Sequence, residues 1–342
     1  MVEILEKKIG AKVCQTPAVS VIIPAFKVAD FISETLNSVL GQTYKNYEIV
    51  LVDDGSPDTP QLERALENYF ENIIYIKQSN GGTAAARNTA IKNSSGEFLA
   101  FLDADDVWLP SYLEAQFDEL NARKCDLIYS DAALFGVGCA AGETFMTNSP
   151  SSGAVTSESL ISGNCNVITS GTFARRAKIV AAGMFDAELP RIGMEDFDLW
   201  FRLVKTGAKL DYQKKVLLKY RVRPDSLSGS NVRRAERGIK ALDIISQKYE
   251  LNAAEKSALE KQRKIFVVQL EIEKGKYNLA RGNYAAAGEN FRAANRLERK
   301  FKLSVLARLL QINPQVAQRL FRAFRAAEFS FIAPDEKAKI ND

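Results

Sequence analysis

Four short stretches hold the side chains of this 342-residue chain whose types and spacing suit chemistry. The first is Asp103-Ala104-Asp105, directly after the apolar run 98–102. Two acids one residue apart, on a loop just past a strand, can both face a cleft. Carboxylates by themselves repel a diphosphate. A hard divalent cation, Mg2+ or Mn2+, resolves the conflict by taking carboxylate oxygens on one side and phosphate oxygens on the other. It would also stabilise a diphosphate leaving group as charge builds on it. A solvated acidic turn, or a cluster of acids at a helix start, is the competing reading of the same tripeptide.

The second stretch, Asp53-Asp54-Gly55-Ser56, also follows an apolar run. An aspartate there can accept from a nucleobase N–H or a ribose hydroxyl, although Asp-Gly is also an ordinary turn signal. The third, Gly81-Gly82-Thr83, opens a helical pattern containing Arg87 and Asn88. Glycine amides at a helix start suit phosphate, and Arg87 could pair with it through two parallel bonds. A plain turn into a helix fits equally. The fourth is Glu195-Asp196, ahead of an amphipathic run. One of these carboxylates can serve as a general base toward a hydroxyl, or the pair can simply favour the positive end of a helix.

Other chemistries are excluded by what the chain lacks. It has no histidine, and its four cysteines, Cys14, Cys125, Cys139 and Cys165, form no C-x-x-C pair. A Cys/His zinc site is therefore not expected, and Ser-His-Asp and Cys-His catalysis are impossible within the chain. Acid–base work falls to Asp, Glu, Lys, Tyr or Cys. The net charge of +4 gives no argument for nucleic acid. Residues 1–15 carry five charges and no long apolar core, which is not a signal peptide. No apolar run approaches the ~18–20 residues of a membrane span, so a cytoplasmic location is expected.

The elements that must position these groups follow from periodicity. Apolar runs at 19–23, 48–52, 73–76, 98–102 and 127–129 read as strands, and 216–222 reads as a further one. Helical patterns alternate with them: one capped by Asp30, one from Thr59-Pro60 to about Tyr69, one from Thr83 to near Asn93, and one after Pro110. Alternation at this spacing predicts an α/β fold with a mostly parallel, Rossmann-like sheet and helices on both faces. Ligands in such sheets bind beyond the carboxyl ends of the strands. Both acidic clusters should then line one cleft. Residues 136–153 read as a loop, and 225–231 as a polar, mobile one.

It is the order of the pieces that is specific. VSVIIPAFKVADFISETLNSVLGQTYKNYEIVLVDDGSPD, then NGGTAAARNTAI, GEFLAFLDADDVWLP and GMEDFDLWFRL, resembles the family 2 glycosyltransferases of the GT-A fold over about residues 18–230. The resemblance implies inverting transfer of a sugar from a nucleotide-sugar donor, UDP being favoured, to a glycan or lipid-linked glycan acceptor in cell-surface polysaccharide or lipopolysaccharide biosynthesis. It implies that Asp54 contacts the nucleobase, with Pro24, Phe26 and Asp53 nearby, and that Gly82 and Arg87 lie at the nucleotide. Asp103, Ala104 and Asp105 would sit at metal and ribose, with Asp105 the closest metal ligand. Asp196 would be the base, with Glu195 in support. Many relatives carry a histidine in the segment matching residues 220–228. Here Arg221 or Arg223 stands there, and arginine can neutralise phosphate but cannot ligate metal. Ser226 and Ser228 would belong to a loop closing over the donor.

The expected organisation is an extension over 1–17, the catalytic domain over 18–231, a basic α-helical region over 232–330 containing one hairpin similar to a tetratricopeptide unit, and a loose tail over 331–342. Residues 261–325 hold fifteen cations against four acids, interleaved with leucine and phenylalanine. A basic amphipathic helix of this kind can lie on an anionic membrane surface, giving an enzyme peripheral to the cytoplasmic face. Two rivals keep the fold. A sugar-nucleotidyltransferase would show a glycine-rich basic loop after the first strand, where this chain has Pro24-Ala-Phe-Lys27. A non-catalytic scaffold would bind proteins through its helical tail, and the intact acidic clusters argue against it.

Overall fold

Val19, Val21 and Ile23 turn to one face of strand β2 (Val19–Ala25) and Ile22 to the other, and both faces are buried. Such a two-sided apolar run demands helices above and below the sheet, and the computed structural model has them. It describes residues 2–189, 191–223 and 231–324. The chain divides into two units, Met1–Ser226 and Leu227–Asp342.

In the first unit β2, β3 (Tyr47–Asp53), β4 (Ile74–Gln78) and β5 (Phe98–Phe101) form the parallel centre of the sheet, in the order β4-β3-β2-β5. Helices α1 (Ile32–Leu40), α2 (Thr59–Ala65) and α3 (Thr83–Lys92) make the crossovers. Beyond β5 come the two-residue β6 (Val107–Trp108), α4 (Tyr112–Arg123), β7 (Leu127–Gly136), the short helices α5 (Phe145–Asn148) and α6 (Ser157–Ile161), β8 (Thr172–Arg175) and α7 (Arg176–Ala181). Helix α8 (Glu195–Lys205) and β9 (Leu210–Val222) complete the unit.

One face of the sheet packs Ile32, Leu36 and Val39 of α1 and Leu113 and Leu120 of α4 against Val21, Ile23 and Leu51. The other packs Ala86, Ala90 and Ile91 of α3 and Leu199, Trp200 and Leu203 of α8 against Ile22, Val50 and Ile76. Each fully buried aliphatic side chain contributes roughly 1.5–3 kcal/mol. Helices α3 and α8 therefore share a face, which brings Arg87 and Glu195 within reach of one another.

The sheet is mixed rather than mostly parallel. Strand β8 inserts antiparallel between β5 and β7, and β6 pairs antiparallel with β9. At the other edge β1 (Ile4–Ile9) pairs antiparallel with β4, so the expected N-terminal extension belongs to the sheet. Two helix starts differ from expectation. Phe31, not Asp30, occupies the cap of α1, because the amides of Phe31 and Ile32 already turn back to Val28 O. Asp58 precedes α2, and Thr59 donates its hydroxyl to Asp53 instead of capping. Helix α2 also stops at Ala65 rather than near Tyr69.

The second unit holds α9 (Asn231–Lys248), α10 (Ala253–Ala280), α11 (Tyr284–Glu298), α12 (Phe301–Ile312) and α13 (Pro314–Phe324). Asn252 caps α10 through a reciprocal pair of bonds with Glu255. Gly282, at φ 79°, makes the turn between α10 and α11. Phe291, Ala294, Leu303, Ala307 and Leu310 join Val268 and Leu279 in a core of its own. The expected loop closure by Ser226 and Ser228 and the loose tail over 331–342 fall outside the described residues.

Candidate active site

Asp53 lies beside Ala25 and Lys77 in the ladder, at the carboxyl ends of β2, β3 and β4, and Asp103 follows the end of β5. Both acidic clusters thus share one rim, as strand order requires.

The Asp53-Asp54 pair is largely consumed by the fold. Asp53 is fully buried and accepts from Ser56 N (2.9 Å) and Thr59 Oγ1 (2.5 Å). Burial raises its pKa. Asp54 is 3% exposed and caps the loop before α3: Gly81 N and Gly82 N donate to its two oxygens at 2.8 and 2.7 Å, and Gln78 Nε2 at 2.7 Å. The glycine amides that suit a phosphate therefore hold a carboxylate of the chain itself. Gly82 sits at φ 86°, and a Cβ there would lie 3.0 Å from Nε of Arg191. Arg191 in turn donates to Asn80 Oδ1 at 2.6 Å. No sequence motif pointed to Arg191. Phe26 is 43% exposed and Pro24 half-buried, so an apolar wall faces outward from the end of β2.

Arg87 joins the acidic rim to the start of α8. Its Nη2 is 2.7 Å from Asp103 Oδ1 and its Nη1 3.1 Å from Glu195 Oε1, with 5% of the side chain exposed. Burial works against its charge, and Asp103, Glu195 and Asp196 outweigh that penalty. Arg87 is thus placed on carboxylates rather than open to a phosphate. Glu195 and Asp196 open α8, where the helix dipole favours acids. Asp196 Oδ1 accepts from Phe197 N at 2.7 Å and Oδ2 from Thr169 Oγ1 at 2.9 Å. Burial, then the charge of Glu195, pushes its pKa up to about 6. A carboxylate so poised can take a proton near neutral pH.

The loop 103–106 is tied down by Arg221, whose backbone N–H donates to Asp106 Oδ1 (2.8 Å) and whose Nε donates to Asp105 O (2.8 Å). The Arg221 guanidinium also pairs with Glu34 and stacks on Phe31 and Phe135, at 4.8 and 4.3 Å from the ring centroids. Its side chain thus ties the acidic loop to α1. Arg223 differs: it stacks on Phe31 at 4.6 Å and sets Nη1 3.3 Å from Asp105 Oδ2. Burial, then the charge of Asp103, raises the Asp105 pKa, against the opposing pull of Arg223.

The donor set fits a divalent ion that arrives with its phosphate. Among the described residues no group of three metal-ligating side chains stands ready to enclose an ion. Asp103 and Asp105 remain 33% and 23% exposed and offer all-oxygen ligation. One or two carboxylates, with phosphate oxygens and water completing the shell, is how Mg2+ is commonly held. Asp106 is buried, and burial followed by the charges of Asp105 and Asp103 raises its pKa well above the usual range.

Comparisons with known proteins bear on family and fold. The family described as Glycosyl transferase family 2 matches residues 20–142. UDP-Glc:alpha-D-GlcNAc-diphosphoundecaprenol beta-1,3-glucosyltransferase WfaP of Escherichia coli is 31% identical over 232 residues, covering 67% of this chain and 87% of that protein. An uncharacterized glycosyltransferase of Rickettsia conorii is 32% identical over 214 residues, covering 59% of this chain and 34% of that protein. The chain spans about a third of the length of three such Rickettsia relatives and 64% of two others. Among solved structures, S. aureus TarS 1-349 in complex with UDP-GlcNAc has a TM-score of 0.55 at 18% identity, covering 90% of this chain and 92% of that one. Mannosyltransferase PcManGT from Pyrobaculum calidifontis, in complex with GDP-Man and Mn2+, has a TM-score of 0.60 at 17% identity, covering 95% and 87%. With the strand order, the acidic rim and the WfaP likeness in agreement, this chain belongs to glycosyl transferase family 2 and has the GT-A fold.

Proposed function

We propose that the chain transfers a sugar, with inversion, from a nucleotide-sugar to a hydroxyl of a glycan or lipid-linked glycan, in cell-surface polysaccharide or lipopolysaccharide synthesis. The observation that carries this reading is the Arg87 bridge between Asp103 and Glu195. It would hold the rim suited to a diphosphate beside the acids that open α8, of which Asp196 is the one suited to a base. UDP is the favoured nucleotide: WfaP is named for a UDP-Glc donor and TarS binds UDP-GlcNAc. PcManGT binds GDP-Man, which keeps GDP as the contrast to be tested. WfaP is also named for a diphosphoundecaprenol acceptor, which supports a lipid-borne acceptor and work at the cytoplasmic face of a membrane.

Asp103 and Asp105 would hold Mg2+ or Mn2+, which when bound supplies Lewis-acid stabilisation of the departing diphosphate. Phe26 and Pro24 would flank the nucleobase, and the loop held by Asp54 would shape that pocket. Arg223 would neutralise phosphate charge, whereas Arg221 keeps the acidic loop in place. Asp196 would take the proton of the acceptor hydroxyl as it attacks C1 from the face opposite the diphosphate. Thr169 and Phe197 N–H orient its two oxygens for that step. One base suffices for inversion, since no covalent intermediate has to form.

Isothermal titration with UDP, GDP and dTDP, each with Mn2+ and with EDTA, tests the reading. Metal-dependent binding of one nucleotide supports it and fixes the donor class. Binding of none of them would shift the case to a non-catalytic scaffold.

A further inference from the structure

Helices α12 and α13 are the last described elements of the second unit, and Leu303, Ala307, Leu310 and Ala317 carry their inner faces into its core. Their outer faces are largely apolar, whereas a helix face left to solvent is ordinarily polar. Here Phe301 and Ile312 are each 82% exposed, and Val305 is 46% exposed. Positions 301, 305, 308 and 312 lie along one stripe of a helix, so three apolar side chains and Arg308 face the same way. On α13, Val316 and Leu320 are 39% and 45% exposed and one turn apart, with Arg319 between them in sequence.

Charge decides what such a face can meet. From residue 299 to 327 there are seven lysines and arginines and no aspartate or glutamate. A second copy seated on this face would set like charge against like, which is costly at an interface. A surface that is apolar underneath and anionic on top matches both features.

We propose that the outer face of α12 and α13 seats on an anionic phospholipid surface. Phe301, Val305 and Ile312 enter the boundary between headgroups and acyl chains, and Arg308 and Arg319 meet lipid phosphates. The proposal deepens the reading of a lipid-borne acceptor and rests on it for purpose, while its geometry stands apart from the transfer site.

The test is co-sedimentation of the full chain with vesicles of phosphatidylcholine alone or mixed with phosphatidylglycerol. The wild type should pellet with the anionic vesicles, less so in high salt, and stay in solution with the neutral ones. Phe301→Asp/Ile312→Asp, at exposed positions, should bind at least roughly tenfold more weakly. Arg308→Glu should lose roughly fivefold or more, the worth of about one surface cation. Circular dichroism checks that each variant folds, and Arg308→Glu keeps the test open if the double variant does not. No pelleting of the wild type, or equal pelleting of both variants, overturns the proposal. So does a wild-type dimer that the double variant dissociates while vesicles retain neither protein, an outcome that gives the face to a second copy. Titration of the same preparations with UDP separates the two readings. Vesicle binding without nucleotide binding sinks the transferase reading alone, and nucleotide binding without vesicle binding sinks this one alone.

Discussion

Asp103 and Glu195, one after β5 and the other opening α8, share a single guanidinium: that of Arg87, at 2.7 and 3.1 Å. Removing a buried charge that pairs with others leaves those others uncompensated, typically at 3–5 kcal/mol. Asp103 is a third exposed and can recover some hydration. Arg87→Ala should therefore cost about 3 kcal/mol in urea unfolding, and it should lower turnover by separating the two sides of the cleft. Arg87→Lys keeps the charge but cannot reach both carboxylates with a planar fork, so it should fall between. Unchanged stability in Arg87→Ala would show that the bridge does not hold the cleft.

The base assignment predicts a pH profile. With its pKa pushed up to about 6, Asp196 must lose a proton before it can act, so kcat/KM should rise with pH through about 6 and then level. Asp196→Asn should lose roughly 10²–10⁴-fold in rate while keeping nucleotide binding. Stability runs the other way. The unfolded chain titrates this aspartate near 3.9, as a rough reference value, so between pH ~4 and ~6 the folded state binds more protons and stability falls as pH rises. Above about pH 6 the Asn variant should thus be at least as stable as the wild type. An Asn variant that is active, or one that unfolds at neutral pH, would refute the assignment.

Much of this was legible because the central strands are apolar on both faces and end in acids. Runs such as 19–23 and 48–52 leave few other options. Strand β1 escaped because ILEKKI is exposed on nearly every residue and lies at an edge, where pairing needs no burial pattern. Strand β8 escaped because TFAR is four residues of a segment rich in small polar side chains. The acids at the site were visible as types, but their allegiance was not. Asp54 spends its oxygens on Gly81 and Gly82, and Arg221 spends its donors on the acidic loop and on Glu34. Those partners come from distant parts of the chain, which no local spacing encodes.

If Asp105 holds a divalent ion as proposed, Arg223 would compete with that ion for it. The pair, at 3.3 Å, is 17% and 23% exposed at its two ends, and a partly solvated ion pair is worth up to about 1 kcal/mol. Arg223→Ala should free the carboxylate, so Mn2+ should bind a few-fold more tightly in the absence of nucleotide. The same variant should bind UDP roughly tenfold more weakly in EDTA, having lost a charged donor to phosphate. Arg221→Ala should instead lower thermal stability, because it removes the Nε bond to Asp105 O and the pair with Glu34. Titration calorimetry separates these outcomes. If Mn2+ affinity were unmoved by Arg223→Ala while UDP affinity fell, Arg223 would serve phosphate without guarding the metal position.

Gly82 tests whether the loop ahead of α3 shapes the nucleobase pocket. Its φ of 86° belongs to glycine, and a Cβ would press on the Arg191 side chain at 3.0 Å from Nε. Backbone in that region costs an ordinary residue roughly 1–3 kcal/mol. Relief would come from rotating the Gly81–Gly82 peptide, which breaks one or both bonds to Asp54. Gly82→Ala should therefore weaken nucleotide binding and lower stability by about 1–2 kcal/mol. Arg191→Ala removes the steric neighbour but leaves the strained φ, so the double variant should recover only part of the loss. Full recovery would mean that the side-chain clash, and not the backbone, governs the loop. No loss in Gly82→Ala would mean that the Asp54 cradle does not shape the pocket.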